Sequence, residues 1–358
     1  MESSRLGRLY WMDYLRIFGC VNIILFHFNF FSPNLVLTGA VVPTYTVFGI
    51  NMGGLGVALF FLLSGAALMH VYGEGELKLA RYISRRIVDI LPQYWSGFLV
   101  ALLLAVLAGT APRAPLWTIV YSFIGLDGYL NQLAYPFSPN FYLVGEWYVG
   151  CQIIMYALFP MLRFCVKRRP WLMLMCCIAL SALGMLVIPK FPAIFGGFSR
   201  NPHWFFTSHL PEFCLGMILI VKWEELPKSL LVTLSIAFFS ITTLFFPGPG
   251  DNSLPYLFEW ALAAASLAIC FRSMSEHVSI QKINKLAVRL QGYCFPAFLV
   301  HHVIMTRIFT LFSFAGPMGL RAEIEAFLMT MACIAVGAYV VKMSSKPLKE
   351  KMQRILPG

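Results

Sequence analysis

The chain has 358 residues, of which 59% are hydrophobic and only 12% are charged, and its mean hydropathy is +0.74. This composition excludes a soluble globular enzyme and predicts a polytopic membrane protein. The net charge of +11 does not indicate nucleic-acid binding, because the basic residues are spread through short connections between apolar segments and are not gathered on one soluble face.

The apolar segments predict an all-α transmembrane helix bundle of about ten helices, each near the length that crosses a hydrocarbon core of about 30 Å. No soluble domain of useful size interrupts them, so we predict one membrane domain over residues 1–358, with a core at 10–342 and a basic tail at 343–358. The predicted spans are 12–31, 53–71, 91–109, 142–162, 171–189, 205–221, 229–247, 254–271, 293–314 and 323–342.

The distribution of basic residues predicts the orientation of these spans. Twenty-one Lys and Arg residues fall in the N-terminus, in alternate connections and in the C-terminal tail, whereas four fall in the other connections. Cytoplasmic loops carry an excess of Lys and Arg, so we expect both termini in the cytoplasm. The nine Cys residues lie in or next to apolar runs without a CxxC pair, which is typical of small buried side chains.

The first predicted helix carries a polar stripe. Asp13, Arg16 and His27 share one face, and Arg16 and His27 are roughly 16 Å apart along the axis. A charged group inside a membrane costs at least a few kcal/mol, so such a stripe normally faces a bundle interior or a wet cavity and indicates function. Alternatively, Asp13 and Arg16 pair at the cytoplasmic interface and His27 is a structural histidine.

Basic residues before the third span form a second candidate site. Arg85 and Arg86 could hold the phosphates of a nucleotide-like donor, because guanidinium groups match phosphate bidentately. Alternatively, they only bind anionic lipid headgroups. The chain contains neither a P-loop nor a dinucleotide-binding glycine fingerprint, so such a donor would be held by a basic pocket at the membrane.

Histidines and carboxylates in later spans extend the list of candidates. His301 and His302 invite a metal-site interpretation, but adjacent residues on a helix point about 100° apart, so we expect no metal. A buried histidine beside a carboxylate is instead a candidate general base. The sequence leaves open whether Glu146, Glu212 or Glu259 is the partner of His27. Aromatic residues in the long loop at 110–141 suit sugar binding or an interfacial aromatic belt.

Six motifs in this order resemble those of the acyltransferase-3 family of membrane acyltransferases, over about residues 10 to 305. They are Asp13-Tyr14-Leu15-Arg16 with His27, Phe60-Phe61-x-x-Ser64-Gly65, Arg85-Arg86 with Leu91-Pro92-x-Tyr94-Trp95, Trp147-Tyr148-x-Gly150 with Tyr156 and Pro160, Leu210-Pro211-x-Phe213-x-x-Gly216-Met217, and Phe298-Leu299-Val300-His301.

The resemblance implies a multi-pass protein of a bacterial inner membrane that transfers an acyl group, most often acetyl from cytoplasmic acetyl-CoA, to a hydroxyl of a cell-surface or lipid-linked saccharide. It implies a catalytic role for His27 and Arg16 and donor binding by Arg85, Arg86 and Arg16. We predict substrate contacts for the following residues of the motif regions: Trp147, Tyr148, His301 and Glu212. Expected partners are acyl-CoA, the saccharide acceptor, membrane lipids and a polysaccharide-synthesis machinery, without nucleic acid.

Two residues depart from the family pattern, and other functions stay open. Asp89 stands where the family often has Arg, so donor binding would be weaker or supplied from elsewhere, and Gln152 stands where it often has Glu. The alternatives to an O-acetyltransferase are a transporter, flippase or export component for an acylated glycan or lipid, and a scaffold subunit of a synthase complex.

Overall fold

The computed structural model describes residues 7–31, 46–245, 253–277, 280–313 and 320–356, except for the side chains of 311–313, 320 and 322. A two-residue antiparallel pair, β1 (Thr46–Val47) with β2 (Ile50–Asn51), is the one sheet of this part of the chain. The remaining elements are helical. The α-helices in chain order are α1 (Tyr10–Phe31), α2 (Met52–Tyr72), α3 (Leu79–Leu107), α4 (Ile119–Ile124), α5 (Asp127–Leu130), α6 (Glu146–Arg168), α7 (Pro170–Val187), α8 (Pro192–Phe195), α9 (Leu210–Val221), α10 (Lys228–Phe245), α11 (Leu254–His277), α12 (Gln281–Ser313) and α13 (Leu320–Ile355).

Each of the ten predicted spans coincides with one of these helices, which confirms an all-α, multi-pass membrane protein. Eight helices of the described residues are long and apolar enough to cross a membrane: α1, α2, α3, α6, α7, α10, α11 and α13. The predicted sixth span corresponds to the shorter apolar helix Phe206–Val221. The predicted ninth span lies within α12, whose apolar stretch is interrupted by His301, His302 and Arg307.

Three helices extend well beyond their predicted spans. The prediction for α3 started at residue 91, but the helix begins at Leu79 and includes the basic segment, with Pro92 in its interior. Similarly, α12 begins twelve residues before the predicted start, and α13 continues to Ile355, so most of the predicted tail is helical. These extensions are amphipathic and charged, and an apolar-run criterion therefore misses them.

The described residues form two compact units. The first unit comprises Met1–Asn22, Thr46–Leu77 and Cys151–Gln291. Its core packs α2 against α9 and α11, with buried residues such as Leu59, Trp223 and Trp260. Helices α2 and α9 approach closely because Gly65 lies against the Phe213 carbonyl oxygen, which a Cβ at that position would meet at 2.0 Å.

The second unit comprises Ile23–Tyr45, Lys78–Gly150 and Gly292–Gly358. Helix α3 packs against α13 in this unit, and Gly97 of α3 lets the backbone approach Leu299 of α12, whose side chain a Cβ would meet at 3.2 Å. The end of α1 is held by ring contacts of Phe28 with Phe309 and Phe327, at centroid distances of 5.3 and 5.1 Å. This unit therefore brings together the end of α1, the start of α6 and the middle of α12.

Candidate functional site

His27 of α1 contacts His301 of α12 within the second unit. The Nε2 atom of His301 and the Nδ1 atom of His27 are 3.1 Å apart and form a hydrogen bond. His301 is completely buried, and its other nitrogen, Nδ1, donates to the Phe298 carbonyl oxygen at 2.6 Å. The structure thus joins the predicted catalytic histidine to a predicted substrate contact through a direct hydrogen bond.

The Phe298 carbonyl fixes the tautomer of a neutral His301, and His301 in turn orients the His27 ring, which also has a backbone hydrogen bond with Ile23. A carbonyl oxygen only accepts hydrogen bonds, so the proton of a neutral His301 ring is on Nδ1 and its Nε2 carries a lone pair. His27 must then donate from Nδ1 to that lone pair. We therefore assign the remaining lone pair of a neutral His27 to Nε2, which makes this atom a proton acceptor and a nucleophile.

His302 and Glu146 complete a four-residue group, here called the histidine cluster: His27, Glu146, His301 and His302. The His302 ring lies 4.2 Å from the His27 ring, centroid to centroid. Its Nε2 atom is 3.1 Å from Glu146 Oε1, and His301 Nε2 is 3.8 Å from the same oxygen. Adjacent histidines on one helix thus both reach the cluster, contrary to the expectation from the sequence, because the His27 ring contacts both of their rings, at centroid distances of 5.0 and 4.2 Å.

The backbone before α6 places Glu146 in the cluster. Glu146 has a φ of 46° and follows Gly145, whose φ is 78°, so two successive residues take left-handed conformations at the helix start. Gly128 of α5 packs on this turn, and a Cβ there would meet the Glu146 carbonyl oxygen at 2.0 Å. The position of Glu146 therefore depends on α5 as well as on its own helix.

A buried aspartate network anchors α5 in turn. Asp127 accepts hydrogen bonds from the Tyr94 hydroxyl, from Ser122 Oγ at 2.8 Å and from the Gly128 amide at 2.8 Å. Burial raises the pKa of Asp127 above its usual value, although the hydrogen bonds from Tyr94 and Ser122 act in the opposite direction. This network ties the loop that positions Glu146 to α3.

Trp147 and Tyr148, two further predicted substrate contacts, directly follow Glu146. Their side chains are largely buried, with exposed fractions of 6% and 7%. The Tyr148 ring packs on Phe298 at a centroid distance of 5.0 Å, so it contacts the same turn of α12 that holds His301. Contact of these two residues with a substrate stays a prediction.

Arg85 and Arg86, the predicted donor-binding residues, lie on α3 near its start, and both are half-buried. Arg86 Nη2 is 3.0 Å from Asp89 Oδ2, and Lys349 Nζ of α13 is 2.8 Å from Asp89 Oδ1. Asp89, which departs from the family pattern, thus contacts both Arg86 and Lys349. Lys349 therefore places a cation beside the position where the family often has a second Arg.

Arg16 and Asp13 form the ion pair that the sequence suggested, with Nη1 and Oδ1 3.4 Å apart. Asp13 also accepts two shorter hydrogen bonds from Arg8, at 2.7 and 3.1 Å. These three residues belong to the first unit. Asp13 is therefore the shared partner of two arginines, which supports a structural role for it over a catalytic one.

Glu212, the remaining predicted substrate contact, is in the first unit at the start of α9. It is fully buried, and its Oε1 is 3.4 Å from His209 Nδ1. Neither of its carboxylate oxygens has a hydrogen-bond partner among the described residues. Of the three glutamates considered from the sequence, Glu146 is the one that the structure places in a cluster with His27.

Two members of the histidine cluster, Glu146 and His302, were not among the site residues predicted from the sequence. Glu146 was one of three candidate carboxylates, and His302 was set aside by the helix-angle argument. The Gly145-Glu146 pair at the head of an apolar segment was the available signal, because glycine before a helix start often marks an unusual backbone. No sequence signal indicated that α5 would support it.

The fold and this site define a multi-pass, all-α membrane protein with a partly buried cluster of three histidines and one carboxylate. The chain belongs to the acyltransferase-3 family, whose model, described as an acyltransferase domain, matches residues 9–343. It is therefore a membrane acyltransferase. The comparisons found no similar protein among those with curated functions and no similar solved structure.

Proposed function

We propose that the protein is an O-acyltransferase of a bacterial inner membrane that transfers acetyl from acetyl-CoA to a saccharide hydroxyl. The observation that carries this proposal is the hydrogen-bond chain from Phe298 through His301 to His27. This chain leaves the lone pair on His27 Nε2, as acyl transfer to a hydroxyl requires. Transport of an acylated glycan needs no such base.

In the proposed reaction, His27 Nε2 takes the proton of the acceptor hydroxyl while the hydroxyl oxygen attacks the thioester carbonyl carbon. A tetrahedral intermediate forms, the carbon–sulfur bond breaks, and the imidazolium returns the proton to the departing CoA sulfur. The products are the acetyl ester and free CoA, so protons and electrons balance. In a relay variant, His27 Nε2 attacks the thioester carbonyl carbon, the carbon–sulfur bond breaks and CoA leaves as the thiolate. The acceptor hydroxyl then attacks the acetyl-imidazolium, the carbon–nitrogen bond breaks, and the hydroxyl proton ends on the CoA thiolate, so the neutral imidazole is restored.

Arg85 and Arg86 of the second unit are the proposed contacts of the CoA phosphates. Guanidinium groups bind phosphate oxygens bidentately, and Arg86 is already oriented by its 3.0 Å contact with Asp89. Donor phosphates would compete with Asp89 for Arg86, and Lys349 next to Asp89 limits the unfavourable charge that the donor meets. The aromatic residues Trp147 and Tyr148 are the proposed contacts of the saccharide ring.

His27→Gln tests the base. Glutamine retains an amide donor toward His301 but has no basic nitrogen, so acetyl transfer should fall by about 10²- to 10⁴-fold. The measurement is transfer of labelled acetyl from acetyl-CoA to the surface glycan of a strain that lacks the gene, by purified full-length protein in detergent. His70→Gln, a histidine of α2 outside the cluster, is the matched control and should keep wild-type activity.

Retained transfer by His27→Gln at normal membrane levels would contradict the proposal. Label bound to wild-type protein in the absence of acceptor, and absent from His27→Gln, would select the relay variant over direct base catalysis. If the protein were a transporter, neither the wild type nor His27→Gln would consume acetyl-CoA. Compositional analysis of the glycan from strains with and without the gene then identifies the acceptor and the acyl group.

A further inference from the structure

The histidine cluster also has the properties of a divalent metal site. We propose that Zn²⁺ binds to His27, Glu146, His301 and His302 and that the bound ion inhibits acyl transfer. Inhibition rests on the proposed function, whereas binding does not. Each of the four residues offers one ligand atom, and these atoms lie within 4.8 Å of one another.

The distances within the cluster fit tetrahedral coordination. Zinc–nitrogen and zinc–oxygen bonds of about 2.0–2.2 Å place tetrahedral ligand atoms about 3.3–3.6 Å from one another. The atoms of His301 and His27 are 3.1 Å apart, those of His302 and Glu146 are 3.1 Å apart, and those of His301 and Glu146 are 3.8 Å apart. Small side-chain movements would thus complete the site.

Two of the four ligand atoms lack hydrogen bonds. Glu146 Oε1 and His302 Nε2 are buried atoms without a hydrogen-bond partner among the described residues, although they are only 3.1 Å apart. Leaving buried polar atoms without partners is unfavourable. A cation between them would satisfy a carboxylate oxygen and an imidazole nitrogen together.

The surroundings of the cluster hold its ligands in place. A metal-binding histidine usually donates its other ring N–H to a carbonyl or carboxylate, and His301 Nδ1 does so to the Phe298 carbonyl oxygen at 2.6 Å. Glu146 is fixed by the left-handed backbone at its own position, a conformation that is strained for a residue other than glycine and persists only where the surroundings enforce it.

The composition of the ligand set selects the class of metal. Three imidazole nitrogens with one carboxylate favour zinc and other late transition metals over Mg²⁺ and Ca²⁺, which prefer oxygen ligands. Binding through His27 Nδ1 requires the single proton of the neutral ring to move to Nε2. The lone pair on Nε2 is then lost, so zinc and the proposed catalytic base exclude each other.

The experiment uses full-length protein in detergent, treated with a chelator and then titrated with Co²⁺ as a spectroscopic probe for zinc. We expect one Co²⁺ per chain, visible absorption bands typical of tetrahedral nitrogen and oxygen ligands, and displacement by Zn²⁺. His302→Ala removes one ligand and should weaken binding at least tenfold, as loss of even a supporting group does at metal sites. His70→Ala should bind as the wild type does.

A second variant, Glu146→Gln, tests the site independently in case His302→Ala misfolds. Glu146→Gln keeps the side-chain shape but removes the charge, and we expect it to shift the Co²⁺ bands and to weaken binding. Zn²⁺ should raise the melting temperature of the wild type but not of either variant, because only a ligand that binds the native state stabilises it. Equal Co²⁺ binding by wild type, His302→Ala and Glu146→Gln would overturn the site.

The metal and the function can fail separately. If His27→Gln loses transfer while the wild type shows no Co²⁺ bands, the acyltransferase mechanism stands and the metal site falls. If Co²⁺ binds but His27→Gln keeps full transfer, the metal site stands and the catalytic assignment falls. If both hold, added Zn²⁺ should abolish transfer by chelator-treated wild type, and transfer that continues at saturating Zn²⁺ would refute inhibition.

Discussion

Imidazoles and carboxylates come together in each of the two units of the described chain, as the His209–Glu212 pair in the first unit and the histidine cluster in the second, and their packing differs. In the first unit, His209 and Glu212 are three residues apart, and their side chains are 1% and 0% exposed. In the second unit, the histidine cluster draws on three helices, and its His302 and Glu146 side chains are 30% and 18% exposed. The residue types are the same, but the side chains of the second group are more exposed.

The contacts around each group explain this difference. The Phe61 ring stacks on His209 at a centroid distance of 4.4 Å and an angle of 14°, and Gly216 brings α9 against the Leu62 carbonyl oxygen. In the histidine cluster, Glu146 instead lies at the start of α6, and the short helix α5 packs against this helix start. Tight helix packing thus encloses one group, while a loop-supported helix end leaves the other accessible, as binding sites require.

The largest effect that we predict for a supporting residue is that of His301→Phe. The phenyl ring fills the same space but cannot accept the hydrogen bond from His27 Nδ1, so the His27 tautomer and orientation are no longer fixed. We expect kcat to fall about 10- to 100-fold, as for other supporting groups, with a smaller change in KM. His301→Gln, which keeps an acceptor, should recover part of the lost rate.

A purely structural role for His301 would reduce activity only in proportion to the folded protein. The discriminating measurement is kcat as a function of pH for His301→Phe and wild type at equal amounts of folded protein. A shift of the pH profile supports the hydrogen-bond role, and an unchanged profile with an unchanged kcat would contradict it.

Two glycine substitutions sharpen the comparison, because both insert a Cβ 2.0 Å from a backbone oxygen. Gly128→Ala meets the Glu146 carbonyl in the second unit, and Gly65→Ala meets the Phe213 carbonyl in the first. Overpacking of this kind costs about 1–3 kcal/mol. We expect Gly128→Ala to lower transfer about tenfold at equal folded protein, whereas Gly65→Ala lowers the melting temperature and leaves the activity of each folded molecule unchanged.

Gly7→Ala is the control for both glycine substitutions, since a Cβ there meets nothing within 4 Å. The measurements are the melting temperature in detergent and the acetyl transfer rate per folded molecule. Equal specific activities of Gly128→Ala and Gly65→Ala would show that α5 does not position Glu146.

The sequence was sufficient to predict the helices but not the cluster. Apolar runs predicted a helix for each span, because twenty apolar residues in a membrane have few alternatives. His27 and His301 were each singled out, but 274 positions separate them, and one sequence contains no information on such a distant contact. The charged starts of α3 and α12 were missed because their helical pattern is amphipathic and not continuously apolar.

Glu146 shows the limit most clearly. Its place in the cluster depends on a left-handed backbone, on Gly128 and on the Asp127 network, none of which has a periodic signal in the sequence. Similarly, His302 was set aside because adjacent side chains on a helix point about 100° apart. Both rings nevertheless contact His27, since long side chains can converge on a third ring.

A smaller effect concerns pH and the first unit. Burial, together with nearby His209, lowers the pKa of His203 to about 3. As the pH decreases, His203 of the unfolded chain is therefore protonated near pH 6.5, whereas His203 of the folded chain stays neutral down to about pH 3. The free energy of unfolding falls as the pH decreases from 6.5 toward 3. The slope is about 1.4 kcal/mol per pH unit for one group, and His203→Gln should remove this share of the slope.

The measurement is the thermal midpoint of wild type and His203→Gln in detergent at several values between pH 5 and 7, followed by tryptophan fluorescence. The difference between the two proteins isolates His203 from the other histidines. Parallel curves would contradict the assignment of acid sensitivity to this residue.

The smallest effect that we predict is that of Glu212→Gln, which tests whether the enclosed group takes part in function. Both carboxylate oxygens lack hydrogen-bond partners among the described residues, and the side chain is 0% exposed. A buried carboxylate without hydrogen bonds contributes little stability, and an amide of the same shape is cheaper to bury. We therefore expect an unchanged or slightly higher melting temperature for Glu212→Gln. Its acetyl transfer rate should stay within about threefold of wild type, which corresponds to a change in activation free energy below about 1.4 kcal/mol, the value for a tenfold change.

The predicted contact of Glu212 with the substrate gives the opposite expectation, since loss of a charged contact would raise the KM of the acceptor saccharide. The decisive measurement is this KM for Glu212→Gln beside Glu259→Gln, a glutamate of α11 in the same unit. A KM raised tenfold in Glu212→Gln alone would mean that the enclosed group opens during the reaction. The difference between the two groups would then describe the resting protein and not the catalytic cycle, because a fully buried carboxylate can contact a saccharide only after the packing around it opens.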